Sequence, residues 1–203
     1  MAADNLPAPL RDVVERLASL PGLGPKSALR AALTLLAMPR ERAQALGRSI
    51  VDLRENLCLC RECGALTEKS PCHICADPGR DRTQLCLVAE WDSLLALEQM
   101  GVFKGMYMIL GGLLSPLDGV EACNLEFERL RERLSRGEVT ELILGMGATV
   151  ESESTCSYVR NLVRDGYPGV KVTRLAQGIP MGAEVKYMDK ETLRQSLAHR
   201  QDV

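Results

Sequence analysis

CLCRECGALTEKSPCHICA, residues 58–76, divides the 203-residue chain into parts of different texture. It is short of aliphatics and runs into Asp77-Pro78-Gly79-Arg80-Asp81, a dense turn signal. A segment of this composition cannot build an apolar core, so something else must order it. Cys60-x2-Cys63-x8-Cys72-x2-Cys75 supplies the means. Each C-x-x-C knuckle aims two sulfurs at one point, and two knuckles offer the four thiolates of a closed tetrahedral zinc site. With no coordination position left open, such a site is structural rather than catalytic. An iron–sulfur cluster is the alternative that spacing leaves open. Reduced thiols in a plain loop do not account for the paired spacing. Cys58 fits the knuckle geometry less well, and His73 reads as an exposed residue inside the second knuckle. Cys86, Cys123 and Cys156 read as small buried hydrophobes on or beside core elements.

Upstream, residues 1–57 read as helical. Leu10, Val13, Val14, Leu17 and Leu20 recur at helical spacing, as do Ala28, Leu29, Ala32, Leu33 and Leu36. Pro39 ends the second helix, and residues 41–56 form a third with Leu46, Ile50, Leu53 and Leu57 on one side. Between the first two helices lies Leu20-Pro21-Gly22-Leu23-Gly24-Pro25-Lys26-Ser27-Ala28, which resembles a helix-hairpin-helix motif. Gly22 and Gly24 let backbone N–H groups approach a phosphate, and the following helix offers its positive N-terminus. Lys26 and Arg30, four residues apart, share one face and can flank the same strand. Nothing in the hairpin reads base edges, so contacts of this kind are independent of sequence. A plain helical corner plugged by Leu23 is the competing reading.

Downstream, residues 84–200 alternate strand and helix. The pattern predicts strands Gln84–Ala89, Met106–Leu110, Glu141–Met146 and Val170–Leu175, and helices Asp92–Met100, Leu125–Arg136, Ser154–Asp165 and Lys190–His199. Such alternation makes a mostly parallel sheet with helices on its faces.

Composition narrows the possible functions. At 46% hydrophobic and 26% charged residues, the chain is not a disordered tail. Met106–Leu114, the longest nearly apolar run, is half of what a bilayer needs and contains two glycines. The opening MAADNLPAPLRDVVERL has acids where a signal peptide carries a basic region, so a cytoplasmic location is expected. In a reducing compartment clustered cysteines point to metal rather than disulfides. The net charge of −2 hides an asymmetry. Residues 20–54 carry six basic and two acidic side chains, whereas residues 87–203 carry 13 basic and 17 acidic. A polyanion would meet the first of these segments.

Glu90 follows the first strand, and Glu151 and Glu153 follow the third. In an open parallel sheet these positions fall at the carboxyl edge, where ligands bind. On an extended turn, Glu-x-Glu places both carboxylates on one side, and the three together can hold Mg²⁺. Equally, they are solvated acids favouring the N-terminus of a helix that begins near Ser154. Neither His nor a compelling Tyr or Ser stands beside them as nucleophile or base. Tyr158 reads as a helix-face residue, and Trp91 as half-buried packing in preference to a partner contact.

The order of parts resembles the bacterial recombination-mediator family RecR, over nearly the whole chain. The stretches that carry the likeness are LPGLGPKSALR, the Cys60–Cys75 module, LGGLLSPLDG (110–119), ATVESEST (148–155), TRLAQGIPMGAE (173–184) and YMDKETL (187–193). Where the family usually has Glu-Gly-Glu-Ala, this chain has Glu151-Ser152-Glu153-Ser154. The resemblance implies an α+β protein in four parts. These are a helix-hairpin-helix segment (1–57), a four-cysteine zinc module (58–83), an α/β Toprim domain (84–179) and a C-terminal extension making subunit contacts (180–203). It implies that Lys26 and Arg30, beside Gly22 and Gly24, touch double- and single-stranded DNA. Cys60, Cys63, Cys72 and Cys75 hold structural zinc, and Glu90, Glu151 and Glu153 serve partner contact or metal binding. It further implies a non-catalytic homotetrameric ring at the nucleoid, working with RecO and RecF to load recombinase onto gapped DNA. A Mg²⁺-dependent nuclease or primase using the three acids is the alternative.

Overall fold

The computed structural model describes residues 6–200. Met1–Asn5, which open the stretch weighed as a signal peptide, lie outside them. The chain divides into two compact units at the Asn56–Leu57 junction.

The first unit is three helices, α1 (Ala8–Ala18), α2 (Pro25–Ala37) and α3 (Arg40–Glu55). Proline marks each start: Pro9 and Pro25 sit in the first turns of α1 and α2, and Pro39 precedes α3. There the missing N–H is no loss and the fixed φ suits a helix. Pro39 also ends α2, because Met38 before it is driven to extended backbone, with ψ 151°. Val14 packs on Ala28 and Ala32, flanked by Leu10, Leu17 and Leu29. The alanines let the two helix backbones approach closely. The expected inner face of α3 is open instead. None of its residues is buried, Leu46, Ile50 and Leu53 are exposed, and Leu57 lies beyond the helix. Leu10, Val13, Leu36, Leu46 and Ile50 line an apolar trough of about 580 Å³.

The second unit starts with a two-stranded antiparallel ribbon, β1 (Cys58–Leu59) and β2 (Leu66–Thr67), and a single helical turn, α4 (His73–Ala76). It continues through β3 (Asp81–Val88), α5 (Trp91–Gln99), β4 (Gly105–Ile109), α6 (Phe127–Ser135), β5 (Glu141–Leu144), α7 (Val150–Gly166), β6 (Lys171–Arg174) and α8 (Lys190–Ala198). The four long strands form one parallel sheet in the order β4-β3-β5-β6. This is the parallel sheet the alternation predicts, each of its strands falling within a few residues of its expected place. With the helical unit and the cysteine segment it makes up the α+β protein the resemblance implies. Leu85, Leu87, Leu142 and Leu144 are fully buried in its centre, each contributing about 1.5–3 kcal/mol relative to exposure.

β4 stands at an edge, yet all five of its residues are buried. The four cysteines, Ala65 and Ile74 belong to the same buried cluster as the sheet. The zinc-type segment thus has no core of its own and shares that of the sheet. Its backbone closes part of the open edge: the N–H of Ile109 donates to the carbonyl of Cys63 at 2.8 Å. An unpaired edge group that water would otherwise have to satisfy is thereby paired.

Candidate metal centre and nucleic-acid interface

The four cysteines converge. Their Sγ atoms all lie within 4.8 Å of one another, and all four residues are buried. A tetrahedron with metal–sulfur bonds of about 2.3 Å has edges of about 3.8 Å. Cys63 Sγ and Cys72 Sγ are 3.6 Å apart. The first knuckle is closed by hydrogen bonds from Gly64 N to Cys60 O and from Cys60 N to Ala65 O, both 2.8 Å. Gly64 suits this turn because its φ is +76°, a left-handed conformation that other L residues rarely adopt. The second knuckle is wrapped by N–H donors to sulfur, from Cys72 N to Cys60 Sγ at 3.3 Å and from Cys75 N to Cys72 Sγ at 3.5 Å. These donors favour thiolates. A hydrogen bond from Cys75 brings the Cys63 thiol down to about 6 against the opposing effect of burial. Burial pushes Cys72 up to about 11, while Cys75, donating to Cys63 and buried as well, is raised too. A cation bound here would take Cys63 as a ready thiolate and expel the protons of Cys72 and Cys75.

A side chain between the knuckle cysteines ties this centre to the sheet. Glu62 accepts from Arg133 Nη1 at 2.8 Å and from Arg136 Nη1 at 2.5 Å, both on or just beyond α6. Burial pushes the Glu62 carboxyl up, but the Arg136 and Arg133 guanidiniums together outweigh it and hold the group below its ordinary range. Its contribution to stability is therefore whole above about pH 4.5 and is lost as pH falls through the lowered value. Arg133 is buried, with 4% of its side chain exposed. Glu62→Ala leaves that charge unpaired and is expected to destabilise the second unit by about 3–5 kcal/mol. Adding Arg133→Met should recover most of the loss, as thermal midpoints of the three proteins will show. Residue patterning does not single out Glu62, because its partners lie more than seventy positions away.

In the first unit, Gly22 takes the left-handed conformation (φ +80°), while Gly24 is the residue capping α2. A Cβ at either position would meet nothing within 4 Å, so the outer side of the bend is open to a ligand's backbone. Leu23 is half-buried, as a plug would be. Lys26 and Arg30 lie one turn apart at the start of α2, both exposed. Among the described residues, no acidic group lies within 4.0 Å of either.

The acidic edge differs from its expected geometry. β3 and β5 are neighbours whose connections leave in opposite directions, so Glu90, Glu151 and Glu153 do fall at the switch point of the sheet. However, α7 begins at Val150, four residues before Ser154, because Thr149 Oγ1 accepts from Ser152 N at 3.2 Å and caps it. Glu151 and Glu153 are therefore helical residues, about 200° apart around the axis, rather than neighbours on an extended turn. Glu90 precedes α5 with its side chain exposed and making no cap bond. Among the described residues, the four cysteines are the only group of three or more such ligands brought together. Mg²⁺ requires converging oxygens in near-octahedral array, and these three carboxylates do not supply one.

Two further expectations change. Cys123 is exposed in a 3-10 turn, not buried, since the segment 122–124 lies on the surface ahead of α6. Trp91 starts α5 with 41% of its surface exposed, more than packing implies. Cys86 and Cys156 are buried, whereas Cys58 is exposed and outside the sulfur cluster. Tyr158 lies on a helix face, half-buried against Phe127 with ring centroids 4.6 Å apart.

Comparison with known proteins follows the same four parts. Residues 10–54 match the helix-hairpin-helix of RecR, 57–77 the four-cysteine zinc finger domain of RecR, 83–176 the Toprim domain and 178–201 the C-terminal region of RecR. With the sulfur geometry, the second match decides between zinc and an iron–sulfur cluster: the centre is a structural zinc site. The chain is 62% identical over 198 residues to the Recombination protein RecR of Maridesulfovibrio salexigens, covering 98% of each. It is 58% identical to that of Nitratidesulfovibrio vulgaris, covering 98% of this chain and 99% of the relative. It is 39% identical to that of Staphylococcus aureus, covering 98% and 100%. Similarity at this level, along the full length and through all four parts in order, means that the chain belongs to the RecR family of recombination proteins.

Proposed function

We propose that this protein is a DNA-binding scaffold of recombinational repair that grips nucleotide backbones without reading sequence and performs no turnover. The observation that carries the reading is the pair Lys26 and Arg30, exposed one turn apart beside the open bend at Gly22 and Gly24. Two cations per chain bind a polyanion weakly, so several copies must act together. The apolar trough among α1, α2 and α3 is the kind of surface that copies of the chain cover when they assemble. Exposed Met181, Val185, Tyr187 and Leu197 in the 180–203 segment suit further subunit contacts. The assembly is a tetrameric ring able to encircle double- or single-stranded DNA. Its partners are of the RecO and RecF type, with recombinase loading on gapped DNA as the outcome. The nuclease or primase alternative draws on the same Toprim match, but its three acids are not brought together among the described residues, which favours the scaffold reading.

Mass in solution, measured with and without DNA, tests the assembly, and fluorescence anisotropy across a salt series tests the binding. A mass of about four times the 22.2 kDa chain is expected, with affinity falling steeply as salt rises. A strictly monomeric protein that ignores oligonucleotides at low salt overturns the reading.

A further inference from the structure

The Toprim acids fail as a metal site not only because they diverge but because a cation of the chain itself already stands among them. Arg174, the last residue of β6, directs Nη1 to Glu153 Oε1 at 2.6 Å and Nη2 to the carbonyl of Gly147 at 2.8 Å. It is in register with Leu144 of β5, so its guanidinium lies at the carboxyl end of the sheet, where that strand passes into α7. One carboxylate and one backbone carbonyl are the oxygen donors a hard divalent cation seeks. Here both are taken by the planar fork of an arginine, which matches such a pair and never loses its charge. The cleft of about 190 Å³ beside it is lined by Arg160 as well as Arg174, against the single carboxylate of Glu153. The lining of this cleft thus holds two guanidiniums to one carboxylate, which disfavours a divalent ion within it.

We infer that Arg174 is the resident cation of this edge, occupying with a guanidinium the place where the Toprim fold would seat a divalent metal. Glu153 is thereby neutralised and held at the head of α7, and only Glu90 and Glu151 remain as uncompensated exposed acids of the triad. Arg174 is a positioning residue. The assignment concerns cation binding and does not rest on the DNA-binding reading, so either can fail without the other.

Mn²⁺, followed by the loss of its free-ion electron paramagnetic resonance signal, is the probe, titrated into the full-length zinc-saturated protein. The wild type is expected to bind Mn²⁺ no better than the Glu153→Gln variant. Arg174→Gln is expected to bind it at least tenfold more tightly than the wild type, and adding Glu153→Gln should abolish the gain. A stoichiometric site in the wild type that Glu153→Gln removes overturns the inference, as does unchanged Mn²⁺ affinity in folded Arg174→Gln. Should Arg174→Gln not fold, the wild-type and Glu153→Gln comparison still decides. Thermal midpoints of Glu153→Gln and Arg174→Lys add a second readout. If Arg174 holds Glu153 and Gly147 with its fork, then Arg174→Lys, keeping the charge but not the fork, should lower the midpoint at least as much as Glu153→Gln, whose amide oxygen still accepts from Nη1. The reverse order counts against the pairing.

Discussion

Stripping the zinc, or replacing Cys75 by serine, is expected to disorder residues 58–80 and lower the thermal midpoint of the second unit by about 10 °C or more, as metal–folding coupling requires. Structural zinc contributes about 10–16 kcal/mol of apparent binding energy in isolated fingers, which is folding energy when the apo segment has no core. Even about 4 kcal/mol of it corresponds to roughly 8–16 °C in a domain of this size. The effect should extend past the knuckles. Without them, Ile109 N loses its acceptor at Cys63, and Glu62 loses the frame that aims it at Arg133. Amide exchange at Ile109 should accelerate together with that of the knuckle backbone. An unchanged midpoint after verified zinc removal would show that the module does not brace the sheet.

Acid should act on the same centre with a defined sign. Cys63, lowered to about 6 by the hydrogen bond from Cys75, is already a thiolate at pH 7, whereas Cys72, raised to about 11 by burial, still holds its proton. Zinc loading at neutral pH therefore expels the protons of Cys72 and Cys75. Zinc affinity falls as pH is lowered, and it falls more steeply below about 6, where Cys63 too must be deprotonated against the medium. Competition with a chelator of known affinity across pH 5–8, a range of about three units around that value, will show whether the slope steepens there.

The second large effect is expected at the hairpin. Lys26→Ala and Arg30→Ala should each weaken DNA binding by about tenfold or more near physiological salt, and the double variant should bind barely at all. The reasoning is counterion release: each lost phosphate contact lowers the log–log salt slope by about 1, and in the proposed assembly every subunit would lose its contact at once. Both side chains are exposed and without acidic partners among the described residues, so thermal stability should change by no more than about 0.5 kcal/mol. Arg48→Ala, an exposed position on α3 with the same charge change, serves as control and should retain most of the affinity. Equal losses at all three positions would reduce the hairpin to a share of diffuse positive charge.

Much of this molecule could be read from residue order. The parallel sheet announced itself in alternating aliphatic runs such as Leu85–Val88 and Glu141–Leu144, because a strand's burial is written in its own side chains. The end of the second helix at Pro39 is equally local, because a proline bars helical backbone in the residue before it. Where an outcome hung on distant partners, pattern was a poorer guide. The apolar stripe of α3 looked like a core face and is open, because hydrophobic spacing says that a surface wants covering and not what covers it. Cys123 looked buried by its residue type, but the turn carrying it lies on the surface.

The two metal questions mark the boundary between sequence and tertiary structure. A closed four-thiolate metal site is legible in the sequence alone, since two knuckles each fix their own sulfurs and one centre joins them across eight intervening residues. The converged sulfurs and the zinc-finger match make that centre zinc. How the acids of the carboxyl edge are arranged was decided only by the fold. A threonine cap started α7 early enough to turn Glu151 from Glu153, and sheet register brought Arg174 from twenty-one residues downstream onto Glu153. Coordination by neighbours in the chain can be read by counting, whereas neutralisation by a residue from another strand exists only once the strands are side by side.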